Sequence, residues 1–133
     1  MAVNTHSVLV AEDNGILADV LRFNLQRAGF EVVTVENGRL ALEELQQRPF
    51  DLLITDYQMP EVDGQLLCKL IREQNAFEHL PIIMCSAKGL ELDVQALCEE
   101  YRISKVISKP FSTQELVGLA RALITVETTQ ATV

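Results

Sequence analysis

The chain has 133 residues, 48% of them hydrophobic, which suits one domain with a sizeable core. Its formal net charge of -8 excludes a general nucleic-acid-binding surface, which would be basic. No apolar run approaches the ~20 residues needed to cross a bilayer. The start "MAVNTHSVLV" lacks the charged-then-apolar form of a signal peptide, so a cytoplasmic protein without membrane contact is expected.

Short apolar runs alternate with segments of helical period. The first run, "SVLVA" (7–11), is nearly all apolar, as a strand covered on both faces should be. Glu12 and Asp13 follow, and Asp13 or Asn14 is placed to cap a helix carrying Leu17, Val20, Leu21, Phe23, Leu25 and Ala28. Gly29 suits the left-handed position beyond its end. "EVVTV" (31–35) reads as the second strand, and a second helix runs from about Asn37-Gly38 to a stop before Pro49. "DLLIT" (51–55) is a third strand, leading into Asp56 and the turn "DYQMPEVDG". Asp63 is placed to cap a third helix over about 65–73. "IIMCS" (82–86) and "KVIS" (105–108) are the fourth and fifth strands, with a fourth helix over about 90–101 between them. The fifth helix, expected over 112–126, opens on Ser112-Thr113-Gln114-Glu115, a capping box. The domain is therefore expected to span 1–126, with the polar 127–133 frayed or starting a linker.

Cys68, Cys85 and Cys98 are odd in number and form no C-x-x-C pair, which points to reduced, buried thiols. His6 and His79 sit at no zinc-ligand spacing.

This alternation predicts an α/β fold, a single doubly wound sheet of five parallel strands with helices on both faces. Ligands bind such sheets outside the carboxyl ends of the strands. Glu12, Asp13, Asp56, Ser86 and Lys109 all fall there, from four different strands. Singly, each has an ordinary use as a cap, a turn residue or a solvated charge. A lone carboxylate ending a dry strand is costly unless paired, so Asp56 needs partners. Three crowded carboxylates repel one another, and a divalent cation relieves them. The all-oxygen set favours Mg²⁺ or Mn²⁺ over zinc. With one cation and one Lys, such a site can accept a dianionic phosphoryl group.

With Glu12-Asp13, Asp56, Met59-Pro60, Asp63-Gly64, Ser86-Ala87 and Lys109-Pro110-Phe111 in this order, the chain resembles a receiver domain of a two-component response regulator from about residue 7 to 126. The resemblance implies a flavodoxin-like strand order of 2-1-3-4-5. It implies that Asp56 is the phosphoacceptor, taking a phosphoryl group from a histidine kinase or histidine phosphotransfer protein. Asp13, Asp56 and the main-chain carbonyl of Gln58 would bind Mg²⁺ directly, with Glu12 acting through water. Lys109 would pair with the phosphoryl group, Ser86 would donate a hydrogen bond to it, and Lys109-Pro110 would be cis. Gln58 and Lys88 occupy positions that tune phosphoryl lifetime in the family. Output would pass to a downstream protein or a further domain through the face of the fourth helix, fifth strand and fifth helix. The family role is a signalling domain catalysing only its own phosphotransfer and autodephosphorylation, as a monomer or weak homodimer.

One departure stands out. The family usually has an aromatic residue three positions before the Lys, and here that position is the short, stiff Val106. Other functions fit worse. An aspartyl-phosphate phosphatase of the haloacid dehalogenase type wants a D-x-D pair, but Gln58 stands in the second place. A flavin carrier needs Ser, Thr and Gly donors where "AEDNG" offers carboxylates. Neither a P-loop nor a G-x-G-x-x-G occurs. A degenerate scaffold would have lost part of the motif set, which is complete.

Overall fold

In the computed structural model the apolar runs pair into one parallel sheet of order β2-β1-β3-β4-β5, as expected. The structure describes residues 5–87 and 93–131, with side chains to 124. The elements are β1 (Ser7–Ala11), α1 (Gly15–Arg27), β2 (Glu31–Val35), α2 (Gly38–Gln47), β3 (Leu52–Asp56), α3 (Gly64–Arg72), β4 (Ile82–Ala87), α4 (Val94–Tyr101), β5 (Lys105–Lys109) and α5 (Thr113–Ala131). A short 3-10 turn, Asn75–Phe77, precedes β4 and had no sequence signal.

Side chains of a strand alternate between faces, and here both faces are covered. Val8, Val10, Ile54 and Ile83 pack with Leu21 and Leu25 of α1 and Leu116 and Ala120 of α5. Leu9, Leu53 and Met84 face the other way, onto Ala41 and Leu45 of α2, Ile71 of α3 and Leu97 of α4. Each such buried Leu or Ile contributes about 1.5–3 kcal/mol of transfer free energy. Two-sided burial explains why β1, β3 and β4 read as continuous apolar runs.

Local chemistry sets the helix starts. Asn14, not Asp13, caps α1, its Oδ1 accepting from Leu17 N at 3.1 Å. Asn37, Asp63 and Asp93 cap α2, α3 and α4 in the same way. Gly29 takes φ +103 beyond α1. Helix α4 begins at Val94, where the Asp93 carboxylate accepts from Ala96 N at 3.0 Å, and the expected start near residue 90 lies outside the described residues. Residues 88–92, including Lys88 and Gly89, lie outside the described residues. Helix α5 continues to Ala131, past the expected end at Val126, since neither Gly nor Pro occurs after Gly118 to break it.

Arg72 was not flagged by the sequence. Its Nε donates to the carbonyl of Tyr101, Nη1 to those of Phe77 and Glu78, and Nη2 to those of Leu80 and Arg102. All the donors of the fork are thereby used, fixing the end of α4 against the approach to β4. Cys68 and Cys85 are buried, and burial pushes both thiols up to about 12. Cys98, expected to be buried, is only half-buried.

Candidate functional site

Strand register assembles the site. Ala11 pairs with Thr55, so the next residues, Glu12 and Asp56, stand at one level at the carboxyl ends of β1 and β3. Asp56 pairs with Cys85, which places Ser86 one step further along β4. Ala87 pairs with Lys109, bringing the end of β5 to the same rim. The Lys109-Pro110 peptide is cis.

Lys109 Nζ lies 2.9 Å from Glu12 Oε1 and 3.1 Å from Asp56 Oδ1. Glu12 Oε2 accepts from Asn14 N at 3.0 Å, and Asp56 Oδ1 accepts from Tyr57 N at 3.0 Å. Among the described residues nothing donates to Asp56 Oδ2. Asp13 is exposed, and among the described residues it makes no hydrogen bond or ion pair. Glu12 and Asp56 are 4% and 8% exposed, so water screens their charges poorly.

Burial, the largest influence, raises the pKa of Asp56, and with the Asp13 charge it outweighs the lowering by the Lys109 hydrogen bond and charge and by the Tyr57 N–H. Burial likewise raises Glu12, against bonds from Asn14 and Lys109 and with the Asp56 charge adding to it. Burial works to lower Lys109, but its bonds to Glu12 and Asp56 prevail and its pKa is raised. The rim thus carries three acids against one ammonium, an excess of negative charge held in partly dry surroundings.

One oxygen from each of Glu12, Asp13 and Asp56 falls within 4.8 Å of the others, the one such group among the described residues. These oxygen donors, with one carboxylate uncommitted, fit a hard divalent cation. Ser86 is 5% exposed, and among the described residues its hydroxyl makes no hydrogen bond. Gln58 is exposed on the loop after Asp56, and Met59 packs against the core edge.

Gly64, the first residue of α3, explains how that loop closes. A Cβ there would press into the Asp56 carbonyl oxygen and lie 2.9 Å from Tyr57 Cα. Ala ordinarily favours a helix over Gly by about 1 kcal/mol. Gly64→Ala is nevertheless expected to destabilise by about 1–3 kcal/mol, because backbone must give way. Gly118→Ala, where a Cβ meets nothing within 4 Å, should stabilise slightly. Thermal melts of the two variants check the contrast.

A family model for the response regulator receiver domain matches residues 8–121. The chain is 40% identical over 121 residues to the phosphate regulon transcriptional regulatory protein PhoB of Rhizobium meliloti, covering 88% of this chain and 51% of that protein. It is 32% identical over 117 residues to the alkaline phosphatase synthesis transcriptional regulatory protein PhoP of Bacillus subtilis, covering 88% and 48%. The chain thus spans about half the length of these curated relatives. Among solved structures, Vibrio cholerae chemotaxis protein CheY4 matches with a TM-score of 0.82 and 27% identity, over 90% of this chain and 99% of that one. The receiver domain of a Francisella response regulator matches with a TM-score of 0.84 and 26% identity, over 92% and 99%. Among the described residues no helix is long and apolar enough to cross a membrane.

Proposed function

Because the chain belongs to the response regulator receiver family of two-component signalling, we propose that Asp56 is its phosphoacceptor, served by Glu12, Asp13, Ser86 and Lys109. The observation that carries this is Lys109 Nζ set between Glu12 and Asp56, with the Asp13 carboxylate uncommitted beside them. An Asp56 oxygen would attack phosphorus as the P–N bond to a donor imidazole breaks, and the released imidazole takes its proton from solvent. Phosphoryl transfer asks for in-line positioning and neutralisation of the equatorial oxygens.

Lys109 is placed to exchange its contact with Asp56 for one with the incoming phosphoryl oxygen. Its bond to Glu12 keeps the ammonium aimed during that exchange. The Ser86 hydroxyl is free to donate to a second oxygen. Asp13, Asp56 and the Gln58 carbonyl would hold Mg²⁺ or Mn²⁺, with Glu12 reaching it through water. The cation would supply charge neutralisation that one Lys cannot provide alone.

The phosphodonor in this proposal is a histidine kinase or a histidine phosphotransfer protein. The output surface is the face of α4, β5 and α5, contacting a downstream protein or a further domain of a longer chain, with the isolated domain a monomer or weak dimer. Val106 is half-buried on β5, so the switch there would proceed without an aromatic side chain swinging inward. The polar residues 127–131, the last turns of α5, would add little to the stability of the domain.

Incubation with acetyl phosphate and Mg²⁺, followed by intact-mass measurement, tests the function. One phosphoryl adduct is expected, and a chelator should prevent it. Uptake that is unaffected by the chelator would sink the cation-assisted account.

A further inference from the structure

The loop leaving Asp56 has few bonds of its own. Among the described residues, Gln58, Met59 and Pro60 make no hydrogen bond. The loop is tied at its base, where Gly64 N donates to the Tyr57 carbonyl at 2.8 Å. Tyr57 N also donates to the Cys85 carbonyl at 2.8 Å, and a tie further along the loop comes from α2, whose first residue, Gly38, donates its N–H to the Val62 carbonyl at 3.1 Å. Contact there is close enough to demand glycine. A Cβ on Gly38 would press into the Val62 carbonyl oxygen and stand 2.8 Å from both Cβ and Cγ1 of Val62.

Gly38 cannot readily retreat. It is buried, and the preceding Asn37 is 6% exposed with its Oδ1 taken by Leu40 N at 2.8 Å. Arg39 adds an outer tie, its Nε 3.4 Å from Glu61 Oε2 while Nη1 pairs with Glu43. Glu61 itself sits at φ +65, a left-handed conformation costly for a residue with a Cβ. Neighbours must therefore hold the loop in this shape, and α2 supplies the contacts nearest the strained residue.

We propose that Gly38, at the amino end of α2, is a positioning residue for the phosphoacceptor loop, holding residues 57–63 where the loop backbone completes the cation site. This rests on the proposed Mg²⁺ site, to which Gln58 would lend its carbonyl. The coupling is reciprocal: whatever Gly38 does for cation affinity, the cation must do for the Gly38–Val62 contact.

Mg²⁺ affinity of the whole chain, measured by calorimetry or tyrosine fluorescence, tests this. The protein has no Trp and two Tyr, of which Tyr57 adjoins Asp56, so a Mg²⁺-dependent change in the intrinsic signal that Tyr101→Phe leaves in place reports on the loop. Gly38→Ala should weaken Mg²⁺ binding about tenfold, in the range seen when groups supporting a metal ligand are lost. Leu45→Ala, a core change on the same helix, should lower the melting midpoint at least as far yet leave Mg²⁺ affinity unchanged. A Gly38→Ala affinity indistinguishable from wild type, or an equal loss in Leu45→Ala, would overturn the proposal. A wild type that binds no Mg²⁺ would instead remove the cation site, and this inference with it. Should Gly38→Ala fail to fold, hydrogen exchange of wild type decides. Mg²⁺ should slow exchange of the Gly38 amide, and no change on saturation would overturn the coupling.

Discussion

Asp56→Asn is expected to abolish phosphoryl uptake and, without metal, to raise the melting midpoint at neutral pH. The first effect follows from chemistry, since an amide offers no comparable oxygen nucleophile. The second follows from linkage. The pKa of Asp56 is raised in the folded state from an ordinary value of 3.8, chiefly by burial. A carboxyl raised on folding contributes stability below its unfolded pKa, and that contribution is lost as pH rises through the folded one. At neutral pH the ionised Asp56 is therefore a burden on the fold, and a neutral isostere removes it. Lys109 is not orphaned, because Glu12 remains 2.9 Å away. The gain should be on the order of 1 kcal/mol, a few degrees for a domain of this size. It should shrink as pH is lowered towards the raised pKa. A midpoint below wild type at neutral pH would mean that the Asp56–Lys109 pair outweighs the crowding of acids.

Asp13→Ala should weaken Mg²⁺ binding by at least about tenfold, since groups one shell further out already cost that much. Its effect on the metal-free fold should be slight or favourable. Asp13 is exposed and caps nothing, that place being taken by Asn14, and its charge only adds to the repulsion on Asp56. Mg²⁺ titrations paired with metal-free melts separate the two effects. Unchanged affinity would assign the cation to other groups, and a large loss of stability would give Asp13 a structural role.

Much of this molecule is legible in the residue pattern. The bounds of β1 and β2 follow from runs of Val and Leu, and strand ends locate the site because open parallel sheets place their chemistry there. What stays hidden depends on contacts made at a distance. Lys109 and Glu12 are 97 residues apart, and nothing local says that they pair. The sequence left α1's cap open between Asp13 and Asn14, and only geometry frees the Asp13 carboxylate. Gly38 looks like an ordinary helix-start residue and Gly64 like a residue shaping the loop, until Val62 and Asp56 are seen pressed against them. Arg72 carries no signal in the sequence, because main-chain carbonyl partners leave no trace in side-chain pattern. Asp93 falls inside the helix expected over about 90–101, whereas in the structure its side chain caps α4.

The phosphorylated position can be read directly. The protein is treated with acetyl phosphate and Mg²⁺, and borohydride then reduces any aspartyl phosphate to homoserine. Peptide mass spectrometry locates the product. Homoserine at position 56 alone is the predicted result. Conversion at another carboxylate, or none in a wild type that takes up phosphoryl groups, would contradict the assignment of Asp56.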